Sequence, residues 1–261
     1  MSASSEIQRV AVGGPGGHSL RVRRVGQGER HFFCLHGLAD TLEVWDRIAP
    51  ELETRGRVCR IDQRGHGESD APPGPYARGD LARDVVAVLD AQGIERTVLV
   101  GHSMGGVVAM AAALEYPERI AGLVLIGSTS RCSEKVTRWY DRIARAGETD
   151  GAAGIVRSIY GEKSSRSIRG DAQGISHATR MLKSLYEDPL TPKLGDVACP
   201  ALVMVGDQDM MGPRASEVIH AALPERRAEL VTLPERGHWL HVEAAGEVVA
   251  ALDAWLAKHA L

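Results

Sequence analysis

Short apolar runs alternate with stretches of helical spacing along most of this chain. Residues 7–12 and 19–25 read as two strands joined by the glycine-rich turn Gly13-Gly14-Pro15-Gly16-Gly17. No helical pattern follows that turn, so it does not read as a dinucleotide loop. Further strands are expected at 31–35 and 57–61. A helix is expected over 79–92, where Leu81, Val85, Val86 and Leu89 share a face and Gly93 ends the pattern. Then come strand 97–100, helix 104–115 after only three intervening residues, and strand 122–127. Residues 131–195 hold no convincing buried strand and read as helices rich in Arg, Lys, Ser and Gly. The alternation resumes with strand 201–206, helix 213–222, strand 229–233 and a closing helix near 243–258.

Apolar strands alternating with helices imply an α/β architecture: a mostly parallel, eight-stranded sheet with helices on both faces. The helical insert divides the chain into a core of residues 1–130 and 196–261 and a small cap of residues 131–195. The cap is expected over one end of the sheet. Ligands of such sheets bind beyond the carboxyl ends of the strands, so the residues at those ends carry the functional question.

Composition narrows the classes of function. The 261 residues are 44% apolar and 25% charged, with 31 basic and 34 acidic side chains giving a formal charge of -3. That balance offers no electrostatic case for nucleic acid. Met1 to Glu6 lack a basic stretch followed by an apolar run, so no signal peptide is read there, and no apolar run reaches the roughly 18 residues of a membrane span. Cys34, Cys59, Cys132 and Cys199 form no CxxC pair, and three of them lie in or beside strand-like runs, as reduced buried thiols do. Together these features predict a cytoplasmic protein with a small-molecule partner and neither nucleic acid nor membrane. They leave its oligomeric state open.

Four strand ends carry complementary chemistry. Strand 97–100 runs into Gly101-His102-Ser103-Met104-Gly105-Gly106 and then a helix. A strand that turns into a helix at one residue strains that residue's backbone and holds its side chain at the sheet edge, near a helix N-terminus that favours developing negative charge. A bare GxSxG recurs by chance; between a strand and a helix it marks Ser103 as a nucleophile. Strand 201–206 is followed by Asp207 and Asp209, either of which could orient a histidine, or could be a turn residue or helix cap. Strand 229–233 is followed by Gly237-His238-Trp239. His238 sits directly after a late strand and ahead of the terminal helix, with His241 a weaker competitor. His18, His31, His177, His220 and His259 read as surface or satisfied core. Strand 31–35 is followed by His36-Gly37-Leu38, where the Leu38 N–H would join the Met104 N–H as donors to an oxyanion, with His36 bracing the loop. No Cys/His cluster at zinc spacing and no GK[ST] loop occurs, so no metal or organic cofactor is expected.

These segments resemble the α/β-hydrolase superfamily from about residue 20 to the C-terminus. The resemblance rests on His36-Gly37, Asp62-Gln63-Arg64-Gly65-His66-Gly67-Glu68-Ser69, the Ser103 segment, Gly206-Asp207-Gln208-Asp209 and Gly237-His238. It implies that the acid is Asp209 rather than Asp207, and that the Asp62–Ser69 loop, Arg64 and His66 included, is structural. It points to small-capped carboxylesterases, 3-oxoadipate enol-lactonases and cofactor-free haloperoxidase or perhydrolase relatives. The implied activity is cleavage of a carboxylic ester or lactone through an acyl-enzyme on Ser103, with His238 as base and Asp209 orienting it.

Haloalkane dehalogenases and epoxide hydrolases carry aspartate where Ser103 stands. Carbon-carbon bond hydrolases share Ser-Met and often a Trp like Trp239. The glycine-rich segment they carry after the first His-Gly is replaced here by Leu38-Ala39-Asp40-Thr41, which makes them the second reading. Secreted lipases fit neither the N-terminus nor the polar cap, and a hydrolase-fold ligand receptor is the alternative from another class. For the pocket, Trp239, Met210 and Leu38 adjoin catalytic positions. The cap offers Trp139, Tyr140, Ile143, Ile155, Ile159, Tyr160, Met181, Leu185 and Tyr186, several of which would equally serve to pack the cap onto the core. Trp45 reads as pocket or core.

Overall fold

The computed structural model describes residues 6–13 and 17–261. The glycine-rich turn after the first strand falls partly outside them, and residues 1–5 of the N-terminal stretch that lacks a signal-peptide pattern fall wholly outside. One sheet holds eight strands: β1 (Glu6–Val12), β2 (His18–Val25), β3 (His31–Leu35), β4 (Arg57–Ile61), β5 (Thr97–His102), β6 (Ile120–Ile126), β7 (Ala201–Gly206) and β8 (Ala228–Leu233). Their order is β1-β2-β4-β3-β5-β6-β7-β8. β2 pairs antiparallel with β1 and with β4, and every other neighbouring pair is parallel.

The central strands are buried on both faces, which is why they read as unbroken apolar runs. Along β3, Phe33 and Leu35 face one apolar cluster while Phe32 and Cys34 face the other. The first cluster includes the apolar faces of α2 (Arg78–Ala91) and α3 (Met104–Glu115). The second is covered by α1 (Ala49–Glu53) and by α8 (Ala245–His259), through Leu52, Val248, Leu252 and Trp255. Each fully buried large side chain contributes about 1.5–3 kcal/mol by leaving water. Because α3 is buried from Met104 to Ala113, it shows no polar face.

The sequence places the closing helix near 243–258, but the chain forms α7 (Leu240–Glu243), breaks at Ala244 (φ -137°, ψ 42°) and then enters α8. Glu243 explains the break: its carboxylate turns back to accept Gly237 N–H at 2.7 Å and Trp239 N–H at 3.2 Å. The β6 strand starts two residues before the predicted 122, at Ile120, whose partner is Thr97. It ends before Gly127, which leaves the sheet at φ 54°.

Between β6 and β7 lie α4 (Glu134–Tyr160) and α5 (Ala172–Lys183); α6 (Arg214–Ala222) follows β7. The Ser133 hydroxyl caps α4 by accepting Val136 N–H, and the Asp171 carboxylate caps α5 by accepting Gly174 N–H at 2.7 Å. α4 bends at Gly151 (φ 64°, ψ -148°), a backbone conformation open to glycine. Ile143, Ile155, Ile175 and Leu182 join the same apolar cluster as α3, which fixes the pair of helices to the core. The Asp62–Ser69 loop packs against α5. A Cβ on Gly65 would meet the Gly174 backbone at 2.7 Å, and Asp62 accepts Leu42 N–H at 2.7 Å and Glu68 N–H at 2.9 Å. Arg64 is held bidentately by Asp84 at 2.7 and 2.8 Å.

Candidate active site

β3 stands between β4 and β5, so the chain's path across the sheet reverses there and the loops that follow β3 and β5 diverge around a crevice. β5 ends at His102 and α3 begins at Met104, leaving Ser103 alone at the turn with φ 50° and ψ -113°. A non-glycine residue held there carries strain of about 1–3 kcal/mol, sustained only by its surroundings. Those surroundings are tight. A Cβ on Gly105 would lie 2.1 Å from Leu35 O, and one on Gly101 would lie 2.5 Å from Gly105 O. These glycines therefore let α3 close directly onto β3 and β5. Ser103 N–H donates to Ile126 O at 2.9 Å and the Ser128 hydroxyl donates to Ser103 O at 2.9 Å, which pins both sides of the turn.

Two strands along the sheet, the loop after β7 brings Asp209 to the loop after β8. His238 Nδ1 and Asp209 Oδ2 are 2.8 Å apart and both side chains are buried. Asp209 Oδ1 accepts Met211 N–H at 2.7 Å. Asp207, the other carboxylate of the segment, is exposed. A Cβ on Gly127 would stand 2.9 Å from Asp209 Oδ2 and 3.1 Å from His238 Nδ1, so a bare backbone is what leaves room for the pair. The carbonyl of His238 accepts a hydrogen bond from His102 Nε2 at 3.1 Å. His241, the sequence competitor, is fully buried with neither ring nitrogen hydrogen-bonded; its ring packs on Trp45 at 4.5 Å and on His102 at 4.5 Å, away from the cavity.

On the β3 side, His36 braces the loop. Its Nδ1 is 2.8 Å from Gly37 O, its Nε2 accepts Gln63 N–H at 3.0 Å, and its own carbonyl accepts Gln63 Nε2 at 2.7 Å. Burial lowers its pKa to about 4, which keeps the ring neutral. Gly37 packs against the His102 ring, where a Cβ would come within 2.8 Å. Met104 is the first residue of α3, and its N–H has no acceptor within the helix.

One cavity collects most of the predicted residues. Ser103, His238, Leu38, Trp239, Met210, Trp139 and Tyr160 line it. Asp209 and Met104 are not among its lining residues; Asp209 reaches the site through its contact with His238. Of the remaining cap candidates, Tyr140 and Ile159 line it as well. Ile143, Ile155 and Leu185 are instead fully buried packing residues, Met181 lines a separate groove and Tyr186 is exposed. Trp45 is core. The sequence reading missed Asp40, Leu182 and Met211, which also line the cavity. It also missed Arg166, whose guanidinium lies over the rings of Tyr160 (4.6 Å) and Trp239 (5.0 Å). Arg166 sits in an irregular stretch without periodicity, so no local signal could have found it. Asp40 follows His36 by four residues, and its place in the loop was the signal available.

The fold has counterparts. A family model of the alpha/beta hydrolase fold matches residues 30–153. The dihydrolipoyllysine-residue acetyltransferase component of the acetoin cleaving system of Pseudomonas putida is 31% identical, over 94% of this chain and 68% of its own length. A thermophilic esterase from Thermogutta terrifontis superposes with a TM-score of 0.86 at 27% identity, covering 97% of this chain and 99% of that one. The enol-lactonase from Burkholderia xenovorans superposes with a TM-score of 0.85 at 25% identity, covering 96% and 100%. The chain belongs to the α/β-hydrolase family. Among the described residues, no helix is long and apolar enough to cross a membrane.

Proposed function

We propose that this protein is a serine hydrolase that cleaves a carboxylic ester or lactone of a small to medium-sized substrate, using Ser103, His238 and Asp209. The observation that carries the reading is the buried 2.8 Å contact between His238 Nδ1 and Asp209 Oδ2, with the His238 ring and the strained Ser103 lining one cavity. The contact fixes His238 with a proton on Nδ1 and a lone pair on Nε2, the state a general base needs. His238 takes the Ser103 hydroxyl proton as Oγ attacks the substrate carbonyl carbon, and Asp209 stabilises the imidazolium. The carbonyl oxygen becomes an oxyanion held by the Leu38 and Met104 N–H groups. Collapse expels the alcohol, which receives the proton from His238 and leaves an ester on Ser103. His238 then deprotonates water, which attacks that ester, and the acid departs as Ser103 is re-protonated. Residues 131–195 act as a cap over the core of residues 1–130 and 196–261, and supply Trp139, Tyr140, Ile159 and Tyr160 to the pocket.

The esterase and enol-lactonase likenesses support this class of substrate. A short-chain p-nitrophenyl ester tests it. Sustained turnover is expected, with kcat/KM falling by at least about 10⁴ in Ser103→Ala. A single stoichiometric release without further turnover would favour a ligand receptor built on this fold, and undiminished turnover in Ser103→Ala would remove Ser103 from the chemistry.

A further inference from the structure

Asp40 places a carboxyl group in the same cavity as Ser103 and His238. The turn that puts it there starts at Gly37, whose carbonyl accepts Asp40 N–H at 3.3 Å, and passes through Ala39 at φ 62°. Oδ2 accepts Trp239 Nε1–H at 3.2 Å. It also lies 3.9 Å from His102 Nδ1, beyond hydrogen-bond distance. Among the described residues, no lysine or arginine forms an ion pair with Asp40 and no donor reaches Oδ1. The rest of the lining near it is largely apolar: Leu38, Trp139, Ile159, Leu182 and Met211. Arg166 stacks on Trp239 and Tyr160 but is not among the residues that line the cavity.

A mostly buried carboxylate with a single neutral donor is under-solvated. Burial raises its pKa, and the Trp239 N–H, Arg166 and His238 oppose that shift. The fold does not need a charge here, because a neutral acceptor would satisfy Trp239 equally well. What a carboxylate adds is a strong acceptor directed into the cavity and a negative field beside the reacting carbonyl.

We propose that Asp40 is a specificity-determining residue that accepts a hydrogen bond from a hydroxyl, amide or ammonium group of the substrate near the scissile carbonyl, and rejects substrates whose acyl chain carries a carboxylate. This rests on the ester-hydrolase reading above. Discrimination comes both from a satisfied acceptor for the right substrate and from like-charge repulsion against the wrong one.

Three methyl esters of similar size separate the two effects: methyl butyrate as the neutral reference, methyl 3-hydroxybutyrate as the donor and monomethyl succinate as the anion. The wild-type protein is expected to rank them by kcat/KM as donor, then neutral, then anion. In Asp40→Asn, the anion-to-neutral ratio should rise about tenfold or more, and the donor-to-neutral ratio should fall by about fivefold. Unless both ratios move in these directions, the proposal is overturned. The wild-type ranking serves where Asp40→Asn does not fold, and a reversed ranking overturns the proposal by itself. Equilibrium binding of the same esters to Ser103→Ala reads the preference without turnover. A protein that hydrolyses none of them therefore defeats the ester-hydrolase reading while this one is still decided by binding.

Discussion

Glycines sit both in the loops at the strand ends and in the helices inserted between β6 and β7, but the space around them is tight beside Ser103 and His238 and varies in the insert. At the strand ends the constraint is space. Gly105 and Gly206 each face a backbone carbonyl that a Cβ would approach to 2.1 Å. In the insert the glycines divide: a Cβ on Gly154 would meet Ala146 O at 2.2 Å and one on Gly174 would meet the Gly65 Cα at 2.6 Å, whereas Gly151 and Gly161 have nothing within 4 Å and only their positive φ angles, 64° and 89°, set them apart. Histidines divide in the same way. His36, His66, His102 and His241 are fully or almost fully buried around the strand-end loops, whereas His177 in α5 is half-buried against Tyr76. The lesson is that the strand-end loops are held by close backbone packing, while the insert, which forms one wall of the cavity, is tightly packed in places and open around Gly151 and Gly161.

Under the proposed mechanism the largest effect belongs to Asp209: Asp209→Asn is expected to lower kcat by about 10³–10⁴ while the fold persists, because the His238 tautomer is no longer enforced. An equally large loss in Asp207→Asn would reverse the assignment of the acid. Gly105→Ala should destabilise the protein by about 3 kcal/mol or more, since α3 must move off β3, as read from urea unfolding midpoints.

Acid tests the buried histidines. Burial lowers His36 to about 4, His66 to about 3 and His241 to about 3. An unfolded histidine titrates near 6.5, so these groups stabilise the folded state fully above that pH, and their contribution is lost as pH falls from about 6.5 toward 4 for His36 and toward 3 for His66 and His241. Each contributes up to about 1.4 kcal/mol per pH unit in that window. The carboxylates with lowered pKa values, such as Asp70 and Asp141, lose their contribution only at lower pH. Stability measured between pH 6.5 and 5 should therefore fall, and His241→Phe should flatten the slope by one histidine's share. An unchanged slope would mean that His241 is solvated or paired in solution. The smallest effect belongs to the insert. Gly151→Ala should cost about 1–2 kcal/mol of stability through its left-handed backbone, and kcat/KM for a neutral ester should stay within about twofold.

Much of the architecture was legible because it is local. Parallel strands buried on both faces must be apolar throughout, and the single-residue junction at Ser103 is visible as a strand, a serine flanked by glycines and a helix in direct succession. The break at Ala244 was not legible, because it depends on Glu243 folding back onto the His238 loop. The placement of Asp40 and Arg166 was hidden for the same reason, since neither residue belongs to a periodic pattern and each meets Trp239 only in the folded chain.

By itself, then, the sequence determined the elements, their alternation and which strand ends carry a serine, a histidine and a choice of carboxylates. These follow from side-chain periodicity and the steric needs of turns, which act over a few residues. The tertiary structure decided which of those groups meet. His238 and Asp209 are 29 positions apart in the chain, His102 and the His238 carbonyl 136, and Asp40 and Trp239 199. Such contacts depend on the order in which strands join the sheet and on the register that stacks their ends. That register is fixed by burial summed over both faces rather than by any short stretch of residues.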